Sequence, residues 1–184
     1  PETELLVEMA LAALEAVARP AVLDLGTGSG AIALAIASER PDAVVTAVDL
    51  SGPAIEVARR NADRLRIGNL RLLSGSWYEP AGEARFDAIV SNPPYVADGD
   101  PALESLAHEP RAALAAGRDG LEALTVVCMG AATRLLPGGA LIVEHGAMQG
   151  GAVGALMARS GLVEIAMRRD LAGLPRATRG TAAR

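Results

Sequence analysis

The chain has 184 residues, is 51% hydrophobic but only 2% aromatic, and carries a net charge of -5. That length suits one domain with a substantial core, which must be built from Ala, Val, Leu and Ile. All 17 basic residues are Arg, which excludes Schiff-base chemistry and a Lys-dependent phosphate loop, and the acidic balance argues against a large non-specific grip on nucleic acid.

Taken in order, the elements alternate between helix and strand. Residues 4–19 read as an amphipathic helix with Leu5, Leu6, Met9, Ala13 and Val17 near one face, ended by Pro20. Residues 21–25 form a short buried strand, 26–30 a glycine-rich turn and 31–39 a helix. Residues 43–48 are a second strand, ending at Asp49. Ser51 is the expected N-cap of a helix running to Leu65. A third strand spans 70–73, a loop holding Trp77 spans 75–85, and a fourth strand spans 86–91. An irregular segment from about 96 to 119 reads as a substrate-facing loop. A helix over 121–135, stopped by Pro137-Gly138-Gly139, leads to a fifth strand at 140–143. A helix at 152–159, closed by Gly161, and a sixth strand at 163–167 follow. The tail after Leu174 is either a seventh, short strand or frayed. Strands separated by helices imply a parallel sheet covered on both faces.

The single cysteine, Cys128, sits in an apolar helical stretch. It reads as an inert core residue with no partner for an internal disulfide, which fits a reducing cytoplasm. No apolar run reaches the ~20 residues of a membrane span. The chain begins at Pro1 without Met, which reads as an excised or processed piece.

Three constellations carry chemistry. In Asp24-Leu25-Gly26-Thr27-Gly28-Ser29-Gly30, between strand and helix, the glycines let the backbone turn sharply and approach a ligand. Gly26-x-Gly28-x-x-Ala31 also satisfies the dinucleotide fingerprint, so this loop alone leaves NAD and other nucleosides open. Asp49, at the end of the second strand, is placed to accept hydrogen bonds from two ribose hydroxyls. Asn92-Pro93-Pro94-Tyr95 follows the fourth strand. The residue before a proline is held extended, and each proline fixes its own φ and has no N–H. The result is a stiff bend offering two acceptors, the Asn92 side-chain oxygen and the Pro93 carbonyl, with the flat Tyr95 ring beside them. Such a bend can hold a planar –NH2 group by both hydrogens, which suits methylation of an amide or amino nitrogen. Ligands of such sheets bind outside the carboxyl ends of the strands. Gly26, Thr27, Gly28, Ser29, Gly30, Asp49, Trp77 and Asn92 are all expected on that edge.

These motifs, with Pro1-Glu2-Thr3-Glu4, Ala47-Val48-Asp49, Ser76-Trp77, Glu109-Pro110 and Glu144-His145-Gly146, resemble the PrmC/HemK family. These are the S-adenosylmethionine-dependent enzymes that methylate glutamine in peptide chain release factors. The resemblance runs nearly the whole length. Asn-Pro-Pro-Tyr is shared with adenine-N6 DNA methyltransferases, while the opening Pro-x-Thr-Glu and the Glu-His-Gly are more particular to the glutamine enzymes.

The resemblance implies an α/β fold of the class I methyltransferase type, Rossmann-like, with a seven-stranded, mostly parallel sheet and strand seven antiparallel. It implies S-adenosyl-L-methionine held by Gly26, Thr27, Gly28, Ser29, Gly30, Asp49 and Trp77, with Asn92 beside it. It implies that Asn92, Pro93, Pro94 and Tyr95 hold the target glutamine, with Asn92, Pro93 and Tyr95 as the catalytic set. It implies residues 1–184 as a catalytic domain without the family's N-terminal helical docking domain, and a release factor as protein substrate. A monomer working in the cytoplasm, with no membrane or direct nucleic-acid partner, is expected beside it. Ser76 stands where many relatives have Asp. No metal site is expected, because His108 and His145 are isolated. His108 reads as a loop residue, and His145 as orienting the end of strand five through hydrogen bonds. The alternatives are an adenine-N6 or guanine-N2 nucleic-acid methyltransferase, an NAD-dependent oxidoreductase, and a binding module that holds cofactor without turnover.

Overall fold

In the computed structural model, residues 2–95 and 120–184 are described. The expected segment at 96–119, with His108 and Glu109-Pro110, lies outside them. The elements are α1 Glu2–Ala13, β1 Ala21–Leu25, α2 Ala31–Glu39, β2 Val44–Asp49, α3 Gly52–Leu65, β3 Leu70–Ser74 and β4 Phe86–Ser91. Later in the chain come α4 Glu122–Arg134, β5 Leu135–Glu144, α5 Gly150–Arg159, β6 Leu162–Arg169 and β7 Pro175–Ala182.

The strands form one seven-stranded sheet in the order β3-β2-β1-β4-β5-β7-β6. β1 to β5 pair in parallel, and β7 lies antiparallel between β5 and β6. The tail after Leu174 is therefore a full eight-residue strand. The chain runs outward from β1 to β3, then crosses back to β4 on the other side of β1. That reversal opens a crevice at the carboxyl ends of β1 and β4.

Alternation along the strands explains the two cores. Val22, Val45, Ala88, Val90, Ala140 and Ile142 pack against α1 and α2 on one face. Leu23, Leu25, Ile89, Leu141 and Val143 pack against α4 and α5 on the other. A parallel strand buried on both sides reads as a nearly continuous apolar run, as β1 and β4 do apart from Asp24 and Asp87. Cys128 is fully buried in the second core, and burial pushes its thiol up to about 12.

The two largest boundary differences from the sequence expectation fall in the first helix and the fifth strand. The first helix stops at Ala13, not at Arg19. The Arg40 guanidinium ends it by donating to the Leu14 carbonyl at 2.7 Å and the Val17 carbonyl at 2.6 Å. Asp42 aligns the guanidinium from 2.8 Å. Carbonyls bound in this way need no further helical N–H partners. The fifth strand starts at Leu135, directly after α4, so Pro137-Gly138-Gly139 falls inside it. The register with β4 jumps there, from Phe86 opposite Leu135 to Ala88 opposite Ala140, which is a bulge. A Cβ on Gly139 would sit 3.0 Å from the Phe86 and Asp87 carbonyl oxygens, so glycine is needed at that approach.

Candidate active site

The glycine loop leaves β1 beneath the neighbouring strand. Gly26 and Thr27 donate their N–H groups to the Val48 carbonyl at 2.9 and 3.0 Å. Gly26 (φ 71) and Gly28 (φ 56) are left-handed, where a side chain would be strained. A Cβ on Gly28 would meet nothing within 4 Å, so the loop faces open space there. Gly30 differs. A Cβ on it would come within 3.1 Å of Ala58 and Leu34, so this glycine serves the packing of α2 against α3. Ser29 is exposed, and its carbonyl accepts from Asn61 at 2.9 Å.

Asp49 ends β2 half-buried beside this loop. Its Oδ2 accepts from the Gly28 N–H at 2.8 Å, and its Oδ1 accepts from the Ser51 N–H at 2.8 Å. A carboxylate has about four lone-pair sites, so both oxygens keep capacity for ligand hydroxyls. The expected cap is present: Ser51 Oγ accepts from the Ala54 N–H at 3.3 Å and opens α3.

The half-buried Trp77 follows β3. Its ring carbon Cζ3 would lie 4.0 Å from a Cβ on Gly26, so it walls the loop. Trp77 has φ 44, a strained value for a bulky residue. The loop is held by its neighbour: the Tyr78 hydroxyl donates to the Val127 carbonyl of α4. The sequence holds no local sign of that anchor, because the partner is 49 positions away.

Thr27 is buried and turns its hydroxyl away from the crevice, donating to Asp24 Oδ2 at 2.6 Å. Asp24 is fully buried, and that burial pushes its carboxyl up to about 6, against the opposing Thr27 hydrogen bond. An acid raised in the fold adds stability below its unfolded value of 3.8 and loses it as pH rises through about 6. Asp24→Asn carries no charge to bury. Its stability relative to the native chain is expected to rise by about 3 kcal/mol between about pH 4 and pH 8, at about 1.4 kcal/mol for each tenfold change in proton affinity. Paired thermal melts across that range check this, and a gap independent of pH would refute it.

Asn92 emerges from β4 next to this loop, since Ser91 pairs with Leu25. Asn92 is half-buried and Pro93 buried. Among the described residues, neither the Asn92 side chain nor the Pro93 carbonyl has a hydrogen-bond partner. Among the described residues both expected acceptors are thus unengaged. Tyr95 is engaged differently from a free stacking ring: its hydroxyl donates to Glu144 Oε1 at 3.0 Å.

His145 is fully buried. Its Nδ1 lies 2.9 Å from the Gly146 carbonyl and must donate to it, so Nε2 accepts from the Thr178 hydroxyl at 2.8 Å. Burial pulls the imidazole below its ordinary pKa, so it stays neutral. It ties the end of β5 to β7, the orienting role expected of it. No group of three His, Cys, Asp or Glu among the described residues is placed to hold a metal ion. No described helix is long and apolar enough to cross a membrane.

The crevice has what a nucleoside bearing an amino-acid tail requires. It offers an unobstructed glycine cradle at Gly26 and Gly28, a carboxylate with spare acceptor sites at Asp49 and an aromatic wall at Trp77. The open acceptor pair of Asn92 and Pro93 stands beside it.

Comparison with known proteins agrees. Residues 2–127 match the Methyltransferase small domain family. The chain is 53% identical over 184 residues to the release factor glutamine methyltransferase of Bordetella pertussis, covering 98% of this chain and 67% of that protein. It is 50% identical to the protein of the same name from Burkholderia pseudomallei, covering 98% of this chain and 66% of that protein. The chain thus spans about two thirds of the length of these curated relatives. A solved protein-(glutamine-N5) methyltransferase (release factor-specific) from Alicyclobacillus acidocaldarius superposes with a TM-score of 0.61 at 29% identity, covering 100% of this chain and 93% of that one. The sheet is that of a class I methyltransferase, and the chain belongs to the release factor glutamine methyltransferase family.

Proposed function

We propose that this chain is the catalytic unit that transfers the methyl group of S-adenosylmethionine to the side-chain amide nitrogen of a glutamine, in a Gly-Gly-Gln loop of a peptide chain release factor. The observation that carries this reading is the open acceptor pair, Asn92 Oδ1 and the Pro93 carbonyl, beside the glycine cradle. The relatives' shared name supports the substrate.

The residues fit the cofactor. Gly26 and Gly28 would take its tail, Asp49 its ribose hydroxyls and Trp77 its base. Bound there, it supplies an electrophilic methyl group on a sulfonium. Everything else falls to the protein. A glutamine side-chain nitrogen is a poor nucleophile, because its lone pair is delocalised into the carbonyl. Asn92 Oδ1 and the Pro93 carbonyl accept its two N–H bonds. They orient the nitrogen and favour the pyramidal, electron-rich form it takes in the transition state. Pro94 keeps the bend stiff, and Tyr95 borders it. No strong general base is required, because the methylated nitrogen loses its extra proton to water. Catalysis is then mainly alignment for in-line transfer. The same reading implies a cytoplasmic monomer with no direct nucleic-acid partner.

The test offers the chain three substrates with S-adenosylmethionine: an intact release factor, the same protein with the loop glutamine replaced by alanine, and adenine-containing DNA. Mass spectrometry is expected to find one added methyl on the intact protein alone. Labelling of the DNA, or equal labelling of the alanine variant, would overturn the assignment.

A further inference from the structure

The acceptor bend lies beyond the last ladder pairs of β4, which place Ser91 opposite Leu25 and Val143. Two successive prolines have no N–H, so the bend cannot be tied down by its own donors there. It is held at its two ends instead. At the first, the buried Ser91 hydroxyl donates to the Leu25 carbonyl at 2.8 Å. At the second, two hydrogen bonds among the described residues hold Tyr95. Its hydroxyl donates to Glu144, and its carbonyl accepts from Gln149 Nε2 at 3.0 Å.

Gln149 is the N-cap residue of α5 and uses both ends of its amide. Its Oε1 accepts from the Gly146 N–H at 2.8 Å. Its Nε2 also donates to the Gly120 carbonyl at 3.3 Å. One planar group therefore joins the exit of β4, the approach to α4 and the exit of β5. The surroundings leave it little room. A Cβ on Gly120 would run into the Tyr95 carbonyl oxygen and come within 2.7 Å of Gln149 Nε2. A Cβ on Gly146 would meet Gln149 Oε1 at 3.0 Å and Tyr95 Cδ2 at 3.7 Å.

We propose that Gln149 is a positioning residue for methyl transfer: by holding the Tyr95 carbonyl it sets where Asn92 presents its acceptor. The two prolines make the link from Tyr95 back to Asn92 stiff, so a shift at one end is carried to the other. The chemistry asks for this residue type. The position needs two donors and one acceptor in a plane. A carboxylate offers acceptors only and would face two carbonyl oxygens, and leucine offers nothing. This role deepens the proposed glutamine methylation and rests on that reading.

The test compares Gln149→Glu and Gln149→Leu with the native chain. Glutamate keeps the acceptor for the Gly146 N–H and removes the donors, those to Tyr95 and Gly120 among them. If Gln149→Leu does not fold, the glutamate variant still gives the result. The expected outcome is a kcat on the release factor lowered by up to about 100-fold, the scale of a misplaced reacting group. KM and the Kd for S-adenosylmethionine should stay close to the native values. A general loss of structure would move all three. A second arm needs no substrate: NMR order parameters of the Asn92 side-chain amide should fall in the glutamate variant. Native kcat in folded variants, or an unchanged Asn92 order parameter, would overturn the proposal. If the native chain itself does not methylate a release factor, the functional reading fails, and the NMR arm decides the role of Gln149 alone.

Discussion

Asn92→Ala is expected to lower kcat on a release factor by roughly 10²–10³-fold, the scale for losing one preorganised polar contact to a transition state. The structure sharpens why the effect should fall on the chemical step. The Asn92 side chain makes no hydrogen bond among the described residues, so removing it leaves no buried partner orphaned. The fold should tolerate the change, because β4 is anchored by Ser91 and the bend by Tyr95. S-adenosylmethionine affinity should change much less than kcat. Steady-state kinetics and calorimetry on the same preparation make the comparison. Loss of cofactor binding in step with the rate would make Asn92 a cofactor residue and remove the amide-clamp argument.

Asp49→Ala is expected to weaken S-adenosylmethionine binding by about 1.5–3 kcal/mol, the worth of hydrogen bonds to a charged group. That is roughly 10- to 150-fold in Kd. Two effects contribute. The ribose loses its acceptor, and the glycine loop loses its tether, since Asp49 also holds the Gly28 N–H. Ser51→Ala separates them from helix capping. It removes the acceptor for the Ala54 N–H and leaves the carboxylate in place, so the melting temperature should fall while the Kd changes little. Calorimetry with S-adenosylmethionine and NAD reads the result. Tight NAD binding with no S-adenosylmethionine binding would refute the assignment of the crevice.

What the sequence determined by itself is local or follows from local order. Alternating apolar pentamers and helical stretches set a parallel sheet, and short βα connections set which strand ends share an edge. Gly26–Gly30, Asp49 and Asn92 each lie at or directly after a strand end, so their meeting at one edge was legible from chain order alone. The Ser51 cap was legible too, because its partner is three residues away.

What only the tertiary structure decided depends on partners far along the chain. Arg40 ends α1 from 26 positions beyond Leu14. Leu135 enters β5 early because a bulge against β4 absorbs Pro137 and Gly138. The β7 tail is a full strand because it fills the slot between β5 and β6, despite its polar, Arg-rich sequence. Tyr95 finds Glu144 at 49 positions' distance, and Gln149 finds Tyr95 at 54. A side chain's own neighbours carry no trace of such pairings. Propensity and periodicity report backbone preference within a turn or two, whereas these hydrogen bonds exist only once β4, β5 and β7 lie side by side and bring their ends to one crevice.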